Sequence, residues 1–243
     1  MLYLLVILSI VFVAVAFVLT ENNAKYMLSG YNTMTEEEQK TIDIKSFIPF
    51  FRNFHIFLGL SSLVFGLAIY YFISKDAVGV FLGIYPILAY IYFIFKSAKY
   101  SNKPQTKATK IGIVLLLGVL FFLVGMFALG FKEDKLIINS KAIQIEGSYS
   151  EKILPSEIES IVLVESLPKI KMKTNGFALE TIKKGYFKTE AGEKVKLILN
   201  SDQKPILLFT KTDGKQIYFS SKKRSNSEIF EEVKKEFPEL GMD

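Results

Sequence analysis

Four long apolar runs dominate the first 131 residues, at positions 2–20, 54–74, 77–95 and 111–131, and none of their cores carries Asp, Glu, Lys or Arg. Crossing a hydrocarbon core takes about 20 residues at about 1.5 Å per residue, so the pattern predicts four transmembrane helices. Lys75-Asp76 is nearly all that separates the second run from the third, which predicts a tight helical hairpin. The first run lacks a basic flank, and its small residues Ala14 and Ala16 lie inside it, so a retained span is expected rather than a cleaved signal peptide. Pro86 predicts a kink in the third. The pairs Gly79/Gly83 and Ser62/Gly66 have the small-xxx-small spacing that lets helix backbones approach, either within the hairpin or across a homodimer.

Beyond Phe131 the period changes. Short alternating segments separated by turn signals predict strands at 136–139, 142–146, 158–165, 177–182, 186–189, 194–200, 206–210 and 216–220. Within them Val195, Leu197 and Leu199 mark one face. Asp213-Gly214 and Glu190-Ala191-Gly192-Glu193 predict tight turns. The chain then closes on a helix, SNSEIFEEVKKEF, with Ser225 and Glu228 spaced as a capping box and Ile229, Phe230, Val233 and Phe237 on one face. The predicted organisation is a membrane part, 1–131, and a small β-domain, 132–243.

Between the first two apolar runs stands SGYNTMTEEEQKTIDIKSF, beginning at Ser29. Thr35 and Glu38 have capping-box spacing, and three acids in the first turn suit the positive end of a helix dipole. The helix is expected to reach about Lys45, preceded by a turn at Gly30-Tyr31-Asn32. The chain would then return to the membrane near 48–51.

Charge and composition narrow the function. Residues 132–243 hold 20 Lys/Arg against 18 Asp/Glu, and residues 1–131 hold 10 against 6, so no nucleic-acid partner is indicated. Five lysines and no acid occupy 96–110, either as a positive-inside loop or as a contact for anionic lipid. Loops one and three together carry nine basic residues, and the opposite side carries four. This places both termini, and with them the β-domain, outside the cytoplasm. Charge-free spans argue against an ion-coupled transporter. The chain has no cysteine and one histidine, His55, expected at the membrane interface. Thiol nucleophiles are excluded, no metal or cofactor is indicated, and no nucleophile elbow or phosphate-cradling loop is present. A non-enzymatic protein is expected.

Two resemblances add to this reading. Gly30, Tyr31, Asn32, Thr33, Met34, Thr35, Glu37, Glu38 and Asp43 resemble the signature of a family of small bacterial membrane proteins of unknown function, a GYNTM turn followed by Ser/Thr-x-Glu-Glu. The likeness covers about residues 1–97. Gln39 stands where that family often has a basic residue, with Lys40 one place later. The later segment resembles bacterial pleckstrin-homology-like (PH-like) domains over about residues 133–237. It does so through Tyr149, Ser150, Ile153 and Pro155, and through an Asn175-Gly176-Phe177 segment followed by Gly185 and Phe187. This resemblance implies a partly open barrel plugged by one helix, usually non-enzymatic and often attached to membrane spans. The fold class expected is therefore a multi-domain membrane protein, with four transmembrane α-helices followed by a small PH-like β-barrel and one C-terminal α-helix.

The expected role is presentation of that domain at a bacterial inner or plasma membrane, for contact with membrane lipid or a protein partner. The alternative is an oligomeric channel or passive transporter component. Lys169, Lys171 and Lys173 recur at period two, with Lys183, Lys184 and Lys188 nearby, as a candidate patch for lipid or a polyanion or as a charged strand edge protected from pairing. Gly30, Tyr31, Asn32, Thr33, Met34, Glu37 and Glu38 form a candidate docking motif, with a structural re-entry element as the other reading.

Overall fold

The computed structural model describes residues 1–28, 31–32, 34–101 and 107–240. It divides into two compact units, Met1–Gly125 and Met126–Asp243.

The first unit contains α1 (Leu2–Val15), α2 (Ala24–Met27), α3 (Glu36–Gln39), α4 (Ile44–Phe72), α5 (Lys75–Ser97) and most of α6 (Lys107–Phe131). Three segments are long and apolar enough to cross a membrane: Ile44–Phe72, Lys75–Tyr100 and Thr109–Phe131. The chain is thus an integral membrane protein by helix length and composition. The first apolar run behaves differently. Its helix has 14 residues, a length of about 21 Å at about 1.5 Å per residue, against a core of about 30 Å. It tightens at its end into turns closed by Ala16 N–H to Val13 C=O (3.2 Å) and Phe17 N–H to Ala14 C=O (3.1 Å).

α1 packs on α4 through absent side chains. A Cβ on Gly59 would lie 2.7 Å from the Ser9 carbonyl, and one on Gly66 would lie 2.3 Å from Leu5 Cδ1. The Ser62/Gly66 pair, expected to pack the hairpin or a dimer, is therefore used against α1. α4 meets α5 through polar tips and rings: Ser61 Oγ lies 2.6 Å from the Tyr85 hydroxyl, and Phe50 stacks on Phe93 at 5.2 Å. His55 is buried; its Nδ1 donates to the Phe51 carbonyl (2.8 Å), which leaves Nε2 to accept from Tyr90 Oη at 3.2 Å. α5 runs through Pro86 as one helix, capped at its start by Ser74 Oγ accepting from Ala77 N–H at 3.0 Å.

The second unit is a sheet domain with a final helix. A three-stranded sheet is formed by β1 (Lys135–Asn139), β2 (Ala142–Glu146) and β3 (Glu151–Ile153). The larger sheet has β4 (Ile158–Val164), β5 (Ile170–Ala178), β6 (Lys183–Thr189), β7 (Lys194–Leu199), β8 (Ile206–Lys211) and β9 (Gln216–Ser220), in the order β4-β8-β9-β7-β6-β5. Every neighbouring pair is antiparallel except β7–β9. One face of the larger sheet, with Ile161, Ile198, Leu207, Phe209 and Phe219, joins Ile143 and Ile145 of the small sheet in one core. α7 (Asn226–Glu236) adds Ile229, Phe230 and Val233 to it. The other face carries a second core around Phe187, Val195, Leu197 and Tyr218.

Residues at both edges reach that second core: Val164 on β4 and Ile170 on β5 pack against the same cluster. Edges of a flat six-stranded sheet would stand about 24 Å apart, five spacings of about 4.8 Å. The sheet therefore curls. No ladder joins β4 to β5 among the described residues, so the curl stays open at that seam rather than closing as a barrel. Two further expectations change. The predicted strand 177–182 is displaced to β5, and Ser225 caps α7 without a side-chain hydrogen bond, so the Ser225/Glu228 box does not form. Asn226 anchors that end instead, donating to the Pro205 carbonyl (2.7 Å) and accepting from Ser221 N–H (2.9 Å).

Candidate interaction site

β5 is an edge strand, and Lys169, Lys171 and Lys173 on or beside it are exposed. Their period-two spacing does not survive as one face. The register against β6 shifts between Ile170 and Met172 and again between Lys173 and Asn175, so β5 bulges twice. Bulges and lysines are both means of keeping an edge from pairing with another chain. Lys183 is half-buried and donates to the Glu180 carbonyl at 2.6 Å; Lys188 is half-buried beside Lys194 of β7.

Lys184 leaves the surface altogether. It is 1% exposed, its ammonium stands 3.1 Å from Asp134 Oδ2, and it donates to the Lys132 carbonyl. Asp134 Oδ2 meets no hydrogen-bond donor along a bonding direction, so the contact is an ion pair by distance. Its other oxygen accepts from Ser148 N–H at 3.2 Å. Asn200 fixes the Asp134 backbone on both sides, accepting from its N–H and donating to its carbonyl, each at 2.9 Å. Gly147 makes room for this arrangement: its φ is +143°, and a Cβ there would sit 1.6 Å from Asp134 Oδ1. Sequence reasoning overlooked Asp134, Gly147 and Asn200, whose partners are distant along the chain.

The two segments that resemble PH-like domains meet here. Tyr149 donates its hydroxyl to Asn175 Oδ1 at 2.7 Å, and its ring lies edge-on to Tyr186 at 6.0 Å. Gly176 pairs with Gly185 across β5 and β6, both at positive φ. A Cβ on either would come within 2.2 Å of the opposite strand's backbone oxygen, so the two strands touch where both side chains are missing. Phe177 then projects against the end of α6, edge-on to Phe127 at 6.3 Å, and a Cβ on Gly130 would lie 2.5 Å from its ring. Phe127, Gly130, Gly176 and Phe177 line an open cleft of about 310 Å³, with Tyr149 and Lys173 among its polar residues and Lys184 also on its wall.

Behind the cleft, Lys196 approaches Glu151 at 2.7 Å and Lys211 approaches it at 3.5 Å. Burial raises the Glu151 carboxyl, but the two ammoniums outweigh it and hold the group below the ordinary carboxylate range. Among the described residues, no group of three or more His, Asp or Glu side chains is placed to hold a metal ion.

In the polar stretch of the first unit, Gly30 and Thr33 lie outside the described residues. The predicted capping box is present: Thr35 N–H donates to Glu38 Oε2 (3.1 Å) and Glu38 N–H to Thr35 Oγ1 (3.3 Å). The helix is one turn long, however, ending at Gln39 rather than near Lys45. Gln39 closes the turn by donating to the carbonyls of Tyr31 (3.0 Å) and Met34 (3.2 Å). The chain then bridges Ile42 to Ser101, Asp43 N–H donates to the Tyr100 carbonyl at 2.9 Å, and Asp43 caps α4 through Ser46 N–H. Asn32 and Glu37 are exposed.

No curated protein and no solved structure matches the chain. The stretch carrying the GYNTM segment, the capped helix after it and the hairpin of α4 and α5 has a likeness: residues 6–101 match the family model of a domain of unknown function, DUF3784.

Proposed function

We propose that this protein is a non-enzymatic membrane protein that presents a PH-like module at the membrane surface, where its β5 edge contacts anionic lipid. The observation that carries the reading is the free edge itself: three exposed lysines with no carboxylate partner among the described residues, on a domain whose first strand begins at Lys135, just after α6 ends at Phe131. Strands followed by one helix on the core, and a curled sheet left open at one seam, support the PH-like assignment. The parallel β7–β9 pair departs from a simple succession of hairpins.

A pore reading would need polar positions free to line it. Ser61 is committed to Tyr85, and Ser62 is buried. Three crossings would leave the residues before α4 and those just after α5 on one side of the membrane and the residues after α6 on the other, whether or not α1 crosses. The excess of basic residues beside α4 and α5 then favours an extracytoplasmic sheet domain. Phosphatase and fluorescent-protein fusions after Asp243 test the side. The absence of native cysteine allows a clean test of the lipid contact. Met172→Cys, labelled with a polarity-sensitive dye in the full-length protein, should blue-shift when neutral nanodiscs are replaced by phosphatidylglycerol nanodiscs. It should lose that shift when Lys169, Lys171 and Lys173 are changed to Glu. Identical spectra in both lipids would exclude the lipid contact and leave docking to a protein.

A further inference from the structure

We propose that a groove between the start of α4 and the end of α5 is a site for one anionic phospholipid. The groove has a volume of about 550 Å³ and is lined by Phe50, Phe54, Phe57, Tyr92 and Tyr100, with Asn53 as a polar group between the rings. That size lies within the roughly 300–1,000 Å³ of known small-ligand sites. Phe57 and Tyr92 are exposed, so the groove opens outward from the helices. An apolar, ring-lined groove on the outside of two spanning helices suits an acyl chain.

Two cations stand among its rings. The Lys99 ammonium is 4.8 Å from the Tyr100 ring centre and 5.8 Å from that of Phe50, and Lys96 is 5.7 Å from that of Tyr92. All three rings belong to the groove. Both cations rest on aromatic faces, and no carboxylate among the described residues forms an ion pair with either. They lie at the end of a spanning segment, Lys75–Tyr100, the level at which lysine stems reach toward headgroups. Charge and shape thus ask for the same molecule, with a phosphate between Lys96 and Lys99 and a tail along Phe54 and Phe57. This site is distinct from the β5 edge and does not depend on the reading of the sheet domain.

The test is native mass spectrometry of the full-length protein, stripped of lipid in mild detergent and titrated with phosphatidylglycerol or phosphatidylcholine of matched chains. One phosphatidylglycerol should bind at about 30-fold lower concentration than phosphatidylcholine, the factor that two lysines at about 1 kcal/mol each supply. Lys96→Gln with Lys99→Gln should abolish the preference, and Lys107→Gln with Lys110→Gln should preserve it. Equal retention of the two lipids would overturn the proposal. So would an equal loss in both double variants, which would mean diffuse attraction to a basic loop.

Discussion

The two units differ in the polar residues they bury and in the large apolar ones they leave exposed. In the first, Ser9, His55, Ser61 and Ser62 are buried, while Ile7, Phe57, Val64, Phe65 and Phe72 are exposed. In the second, Ile143, Ile145, Leu197, Leu207 and Phe209 are buried, and charge enters only where it is paired, as with Lys184 and Lys196. Lipid offers an apolar side chain as good a surrounding as a protein interior, so helices gain by meeting where backbones come close, as α1 and α4 do at Gly59 and Gly66. Water rejects the same side chain, so the sheet domain meets through its largest ones. What holds each unit together is therefore best exposed by different substitutions.

The largest effect belongs to the buried charge. Asp134→Asn leaves the Lys184 ammonium without its partner and should cost the sheet domain about 3–5 kcal/mol in urea unfolding; adding Lys184→Met should restore most of it. A double variant no better than the single would show that Asp134 acts through Ser148 and Gly147 instead. Next is the glycine contact between β5 and β6. Gly185→Ala should cost about 3 kcal/mol, because its φ of +126° is strained for alanine and a Cβ would lie 2.2 Å from the Asn175 carbonyl. In the membrane unit, Gly66→Leu should loosen α1 at a cost of about 2 kcal/mol, read as faster amide exchange in residues 2–15. Gly118→Leu on α6, where nothing lies within 4 Å, should change stability by no more than about 0.5 kcal/mol. A concentration-dependent effect of Gly118→Leu would reveal a second copy against that helix.

The smallest effect is in acid. The folded-state pKa of Glu151 is depressed below its unfolded value, so its stabilisation is present above the ordinary carboxylate range. It is lost as pH falls through the depressed value. Glu151→Gln should therefore cost stability near neutral pH and flatten the acid limb of a stability-versus-pH curve. An unchanged acid limb would assign that limb to other carboxylates.

Features written over a few residues were legible in the sequence. The Thr35/Glu38 box and the Asp213-Gly214 hairpin need only local geometry, and both are present. Alternation failed where it rests on one face being wet. Lys196 lies in β7, buried on both faces, and Lys184 in β6, where both faces carry buried positions, so parity cannot flag them. Lys173 and Lys184 looked alike because the partner that separates them, Asp134, stands 50 positions away from Lys184 on a different strand connection. In β5 the lysines and two bulges hid the apolar pattern, which displaced the expected strand toward 177–182. The hydropathy of residues 2–20 gave an apolar run but not its helical length, since leucine and valine suit lipid in a short helix as well as in a long one.

The order of strands in the larger sheet also dictates when it can form. β4 emerges early but waits for β8, which ends at Lys211, and β7 pairs on one side with β9, so the sheet does not find its full complement until Ser220 has been synthesised. By then α4, α5 and α6 have long left the ribosome. Pairings this distant in sequence close slowly and leave strand edges open in the meantime. A chain stopped before β8 would therefore carry finished spans and an unfinished sheet, with β4 as an unpaired edge open to aggregation or proteolysis.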